Sequence, residues 1–417
     1  MSRLLRCAGA MVTACALAIS ATHAAGAAPL FKRGATLVEF FMFPPTVGDG
    51  AAKAYAKVPF RDAKAILQTF DLPALRTMGF DHLRIPVDVG PLMGGDEALR
   101  RDFLSELGIV ISTLHANDFG VIVTLHPPSL NRELPETYLD GLDGAKFQRY
   151  FQVVEMIARE LDGIHSGRLA LEPMNEPQSD CRRKIGLDWT AYQEHMVERL
   201  RRVAPDLVLF LTGGCWSNIE GIVLLDTPLL RDAKNLVTVH FYYPFVFTHQ
   251  AATWSMPYMA ALSGIPYPAA AGDRQTALSL TRERARTIDV PPGVSRVATL
   301  RKAEWEIGKY FFQDQGRSHI EQWMKQVADW QARQRIPADR ILFTEFGAMK
   351  HKIDGVEIDK ASRAQWINDT SAEIERHGWG WTIYVLRDDP FGLYARKGDR
   401  YPDPALLHAL RLNAPVE

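Results

Sequence analysis

Two glutamates carry the chemistry that this chain can be read for. Glu176 closes the stretch Leu169–Pro177, Leu-Ala-Leu-Glu-Pro-Met-Asn-Glu-Pro. The stretch opens as an apolar strand and ends where Pro177 cannot extend a sheet ladder. Glu345 sits in Ile-Leu-Phe-Thr-Glu-Phe-Gly at 341–347, again a short apolar run, then a glutamate, then a glycine turn. A carboxyl pair at two strand ends suits cleavage of a glycosidic bond. One protonated acid serves the leaving oxygen, and one ionised carboxylate faces the cationic sugar carbon. This chemistry calls for no metal and no cofactor.

The elements that position the pair repeat along the chain. Eight short apolar runs occur: Ala35–Phe40, Phe80–Val87, Val121–His126, Leu169–Asn175, Leu207–Thr212, Leu236–His240, Ile341–Glu345 and Trp381–Leu386. Between them lie stripes at helical spacing, such as Leu99, Phe103, Leu107, Val110 and Leu114. Phe147 to Leu161, Trp189 to Val203 and Ile320 to Trp330 repeat that pattern. Apolar strands alternating with amphipathic helices imply a parallel sheet covered by helices. Eight units fit a closed (β/α)8 barrel, an α/β fold whose functional groups sit at the C-terminal strand ends.

Polar residues cluster where those strands end. Arg84 is on strand two and His126 closes strand three. Asn175 and Glu176 close strand four, His240 closes strand six, with Tyr242 just after it, and Glu345 closes strand seven. Strand eight carries Trp381 and Tyr384 before Arg387-Asp388-Asp389. Partial burial and a negative neighbour would raise the pKa of Glu176, while Arg84 would lower that of Glu345. Glu172 has the same strand parity as Glu176 but lies deeper, as a structural acid would.

In these residues, from about Phe31 to Ala409, the chain resembles glycoside hydrolase family 5, the barrel family of cellulases and mannanases. Its most specific parts are Asn175-Glu176-Pro177 and Thr344-Glu345-Phe346-Gly347. The resemblance implies retaining hydrolysis of a β-glycosidic bond, with Glu176 as acid/base and Glu345 as nucleophile, and the leading expectation is endo-action on a β-glucan. It also implies that Asn175 binds the sugar 2-hydroxyl and that Arg84 and Tyr242 hold Glu345 ionised. His126 and His240 would line the subsite of the attacked sugar. The family's strand-eight tryptophan platform aligns with Tyr384, and Trp381, three residues earlier, is a second candidate that strand alternation turns to the other side.

The N-terminus reads as an export signal: Arg3 and Arg6, an apolar Cys7–Ser20, then small residues around 22–27. Cleavage near residue 24 would leave a periplasmic or secreted protein, with a single catalytic domain from about residue 29 to 417. Loss of Arg3 and Arg6 takes the formal net charge from −1 to −3. No basic stripe is present, which argues against a nucleic-acid partner. After signal removal no membrane span remains, and nothing in the sequence calls for an oligomer. Cys181 and Cys215 then remain, after strands four and five, as either a disulfide or two free thiols.

About one hundred residues separate strands six and seven, where one helix would suffice. Gly316–Ile336 reads as that helix, and 245–315 is an insertion holding Trp254, Tyr258 and Tyr267. It is either a surface excursion packed on its own aromatics or a wall that restricts which glycans enter. Exo-action, β-1,3 linkage, transglycosylation and mannan stay open as alternatives. A non-catalytic sugar-binding barrel would not need both glutamates.

Overall fold

The computed structural model describes residues 31–49, 52–60, 62–130, 135–178, 188–350, 352–353, 356–387, 390–396 and 398–415. Residues 1–30, on which the expected export signal, Cys7 and Cys15 fall, lie outside the described residues, as do Cys181, Asp388 and Asp389. Eight strands close a barrel: β1 (Arg33–Thr36), β2 (His82–Asp88), β3 (Gly120–His126), β4 (Leu169–Glu172), β5 (Val208–Thr212), β6 (Asn235–Phe241), β7 (Ile341–Phe346) and β8 (Gly380–Ile383). Each pairs in parallel with the next, and β1 closes the ring between β8 and β2.

All eight expected strands are present, with shifted ends. The ladder of β4 stops at Glu172, three residues before the sequence-read end, because Pro173 brings no N–H to it. Asn175 and Glu176 therefore stand on the turn beyond the strand. The first strand starts earlier than its apolar run, at Arg33, where it pairs with Trp381.

The helices wrap the outside. The main ones are α1 (Leu72–Met78), α2 (Glu97–Ala116), α3 (Ala145–Asp162) and α4 (Trp189–Val203), followed by the short α5 (Ile219–Ile222). Then come α6 (Arg274–Ala285), α7 (Arg296–Phe312), α8 (Arg317–Gln334), α9 (Lys360–Arg376) and α10 (Pro404–Ala409). Their starts are fixed locally: Asp96 accepts from the Ala98 and Leu99 amides at α2, and Asp71 from the Ala74 amide at α1. Their apolar faces and the outer faces of the strands form one continuous core. Inside the lower barrel a second, small cluster forms from Ile122, Ala170, Val208, Phe210, Leu236 and Leu342, with Phe31 packed against it. That packing fills the lower barrel, with the buried His82–Thr382 pair beside it, and the larger polar cluster lies toward the C-terminal ends.

The insertion folds against the barrel rather than away from it. It includes short helices at Phe245–Thr248 and Pro257–Ala261 and the longer α6 and α7. Tyr258 and Tyr267 are buried, as in an excursion packed on its own aromatics. The Tyr267 hydroxyl donates to Asp369 of α9 at 3.1 Å, and its ring packs on Phe247. Only Trp254 of those three is half-exposed.

Candidate active site

Alternation along the strands turns Arg84, Thr124 and Glu172 into the barrel, where all three are fully buried. Arg84 is the hub. Its Nη1 donates to Glu345 Oε1 at 2.6 Å. Its Nη2 donates to Glu172 Oε2 at 3.0 Å, Asn175 Oδ1 at 2.7 Å and Thr124 Oγ1 at 3.2 Å. Thr124 in turn donates to Glu172 Oε2 at 2.6 Å. One buried cation is thus shared between two carboxylates, the arrangement in which a buried charge is tolerated. Burial works against the charged guanidinium, but Glu345 and Glu172 outweigh it and keep Arg84 firmly ionised. Glu172 is the deep structural acid that its position in the strand suggested.

Glu345 is held from its other side as well. The Tyr242 hydroxyl donates to Oε2 at 2.9 Å, and His240 Nδ1 lies 3.6 Å from the same atom. The register between β6 and β7 shifts between Val239 and His240, so that His240 stands opposite Glu345 rather than Thr344. Such an irregularity re-aims side chains at a barrel rim. Burial alone would raise the Glu345 carboxyl, but His240, Arg84, His126 and the Tyr242 hydroxyl hold it at about 2. The glycine of the turn has a packing reason too. A Cβ on Gly347 would lie 2.3 Å from the Tyr384 carbonyl oxygen, so only glycine lets the exits of β7 and β8 meet.

Glu176 has the opposite environment. It adopts a left-handed backbone, φ 45°, a conformation that L-residues enter at some strain and that is found at functional sites. Its Oε1 lies 2.8 Å from His240 Nδ1, and 31 % of its side chain remains open. Burial of the carboxyl raises its pKa, His240 pulls it back, and the charge on Glu345 raises it further. One donor atom each from Glu176, His240 and Glu345 lie within 4.8 Å of one another. This trio has ligand types that a cation could use. However, Glu345 already carries Arg84, and the two glutamates outweigh burial to raise the His240 pKa, so positive charge is supplied by the protein itself.

The supporting residues converge on the same place. Asn175 is buried, with its carbonyl oxygen held by Arg84, which leaves its amide N–H groups for another partner. His126 is kept neutral, first by burial and then by Arg84, with a pKa of about 3. The Nε2 atoms of His126 and His240 are both buried without a hydrogen-bond partner. Tyr242 and Tyr384 both stand edge-on to Phe391, each with ring centroids 5.7 Å away.

Trp381 does not join them. It is fully buried on the outer face of β8, donates from Nε1 to Glu375 at 2.9 Å and packs edge-on to Phe346. The inward side chain at that point is Thr382, 2.7 Å from His82 Nε2. Strand parity alone separates Trp381 from Tyr384.

Other site neighbours carried no motif. His249, Phe391 and Trp216 are examples. Trp216 follows Cys215 in a run of three left-handed residues, Cys215, Trp216 and Ser217, with φ of 61°, 56° and 56°. The Trp216 amide donates to the Pro177 carbonyl at 3.2 Å, and the His240 amide donates to the Ser217 carbonyl at 2.8 Å. This turn therefore ties the Glu176 loop to the strand of His240. Cys215 is disulfide-bonded. Its expected partner, Cys181, lies outside the described residues.

A parallel eight-stranded barrel with two glutamates at the C-terminal ends of strands four and seven defines a class, and the relatives agree with it. The family signature described as cellulase (glycosyl hydrolase family 5) matches residues 64–389. The chain belongs to glycosyl hydrolase family 5. Cellodextrinase A of Ruminococcus flavefaciens is 25% identical over 187 residues, 44% of this chain and 54% of that protein. Endoglucanase 3 of Fibrobacter succinogenes is 25% identical over 295 residues, 67% of this chain and 40% of that protein. The chain spans about half the length of the curated relatives it matches. Among solved structures, the cellulose synthase subunit Z of Clostridioides difficile superposes with a TM-score of 0.62 at 17% identity, covering 91% of this chain and 99% of that one. A hyperthermophilic endo-beta-1,4-glucanase in complex with substrate gives 0.58 at 19% identity, covering 92% and 97%. These structural likenesses concern the fold.

Proposed function

We propose that the protein is a retaining hydrolase of β-glycosidic bonds in a β-glucan, with Glu345 as nucleophile and Glu176 as acid/base. The observation that carries this reading is the pair itself: two carboxyl groups within 4.8 Å, one held ionised and one pushed toward its protonated form. Retaining enzymes place the two groups about 5–5.5 Å apart, and inverting ones roughly 6.5–9.5 Å, to admit a water.

In the first step a Glu345 oxygen bonds to the anomeric carbon as the bond to the leaving oxygen breaks. The Glu176 proton passes to that oxygen. Arg84 and Tyr242 keep the attacking carboxylate ionised and aimed. In the second step Glu176, now ionised, takes a proton from water. The water oxygen bonds to the anomeric carbon and the glycosyl–Glu345 bond breaks. Asn175, with its free amide donors, is suited to the 2-hydroxyl, where hydrogen bonds strengthen in the transition state. The unpartnered Nε2 atoms of His126 and His240 suit other hydroxyls of the attacked ring.

The β-glucan assignment draws on the family and on the names of its relatives, several of which are endoglucanases. The basic and apolar N-terminal segment supports export to the periplasm or medium. The deciding experiment incubates purified protein with β-1,4-glucan, mixed-linkage glucan, β-1,3-glucan and mannan and sizes the products over time. Release from a β-glucan ahead of mannan is expected. Activity confined to mannan would overturn the substrate, and none on any glycan would overturn the enzyme reading.

A further inference from the structure

The insertion 245–315 enters the site at one defined point. Its root is locked down first. The Thr248 hydroxyl donates to the Tyr242 carbonyl at 2.6 Å, and the Thr248 carbonyl accepts from the Met349 amide, just beyond Glu345. Ala251 is fully buried at φ 70°, and its amide donates to the Met259 carbonyl at 3.0 Å. The chain is thus fixed on both sides of residues 253–256.

On that fixed base stands Trp254, 48% exposed, edge-on to Phe391 with ring centroids 6.5 Å apart. Phe391 is buried and touches Tyr242, Tyr384 and His249. A row of rings therefore runs from the hydroxyl that holds Glu345 outward to Trp254. The other strongly exposed tryptophan of the insertion, Trp305, is covered by Lys302 and Lys309, with the Lys302 ammonium 4.2 Å from its ring. Trp254 has no such cation over it among the described residues.

The direction of the row matters. The sugar that becomes bonded to the nucleophile lies over Glu345, and the leaving part lies toward Glu176. Trp254 joins the site through Phe391 and Tyr242, on the Glu345 side. We propose that Trp254 is a specificity-determining residue: its exposed ring stacks against a pyranose on the nonreducing side of the attacked sugar. The ligand is a β-linked gluco-oligosaccharide with at least one ring beyond the attacked sugar on that side. Apolar C–H faces of β-linked pyranoses pack well on indole, and a ring fixed in advance loses little freedom on binding. This inference rests on the catalytic reading above.

The test has two arms. In the first, kcat/KM is measured on aryl β-glucoside and on aryl β-cellobioside and cellotrioside. The ratio of long to short substrate should fall roughly tenfold in Trp254→Ala and in Trp254→Leu, and stay near wild type in Trp254→Phe. An equal fall on all substrates, or no fall, would overturn the proposal. The second arm needs no turnover. Cellotriose binding is measured calorimetrically to Glu345→Gln and to Glu345→Gln/Trp254→Ala, with roughly tenfold weaker binding expected in the double variant. Equal binding, or none in either variant, overturns the role of Trp254. Wild-type turnover with equal binding would sink this inference alone, whereas neither turnover nor binding would sink the catalytic reading too.

Discussion

One carboxylate oxygen of Glu176 lies within 4.8 Å of one of Glu345, yet the pKa values of the two groups are shifted in opposite directions. Glu345 is below the ordinary carboxylate range because Arg84, His240 and Tyr242 together outweigh its burial. Glu176 is above it because burial and the charge of Glu345 outweigh His240. The proposed mechanism requires Glu345 ionised and Glu176 protonated. The profile of kcat/KM against pH should therefore be a bell. Its acid limb falls as pH drops toward the low pKa of Glu345, and its alkaline limb falls as pH rises through the raised pKa of Glu176. In Glu176→Gln the alkaline limb should be lost. A limb that persists in that variant would assign it to another group.

The division of labour between the two glutamates predicts different variants. Glu345→Ala should abolish turnover, and azide should restore it with the inverted anomer as product. Glu176→Ala should lose about 10²–10⁴-fold on natural glycans and far less on aryl glycosides with a good leaving group, which need little protonation. Azide rescue of Glu176→Ala to the inverted product would exchange the roles.

Arg84 should matter for folding as well as for rate. It is fully buried between Glu345 and Glu172, and its removal leaves two carboxylates in the barrel without their cation. Arg84→Met should destabilise the protein by about 3–5 kcal/mol, the usual result of breaking a buried pair. The acid limb of the pH profile should move up, because Glu345 loses the guanidinium that, after His240, does most to lower its pKa. Denaturant titration and the pH profile of the same variant read both effects. A variant of wild-type stability with an unmoved limb would contradict the hub role.

The Cys215 turn predicts a redox effect on the acid/base loop. Its left-handed residues hold the Pro177 carbonyl and the His240 amide, and Cys215 is disulfide-bonded. Alkylation without reductant should leave Cys181 and Cys215 unlabelled, which would also place Cys181 in the bond. Cys215→Ser should lower stability by about 2–4 kcal/mol. Two labelled cysteines on intact-mass analysis would end the idea.

Much of the site is readable from the chain because barrel strands repeat and their ends are marked by polar residues after apolar runs. Arg84, His126, Asn175, Glu176, His240, Tyr242 and Glu345 all converge for that reason. What resists reading is orientation within one or two residues. The ladder of β4 ends at Glu172, so Glu176 owes its position to a left-handed turn and not to a strand. Trp381 and Tyr384 differ by parity, and only β8 pairing sends one outward. Tyr258, Tyr267 and Trp254 look equivalent in the insertion, yet tertiary packing buries two and leaves one half-exposed beside Phe391. Trp216 carried no signal, because three consecutive left-handed residues without glycine have no sequence mark.

The central claim is a double displacement through Glu345, and the stereochemistry of the first product tests it most directly. Proton NMR of an aryl β-cellobioside digest, read before mutarotation, reports the anomer released. The geometry of Glu176 and Glu345 predicts the β-anomer first, with the α-anomer appearing only as the sugar equilibrates. An initial α-anomer would mean a single inverting displacement and would contradict the account.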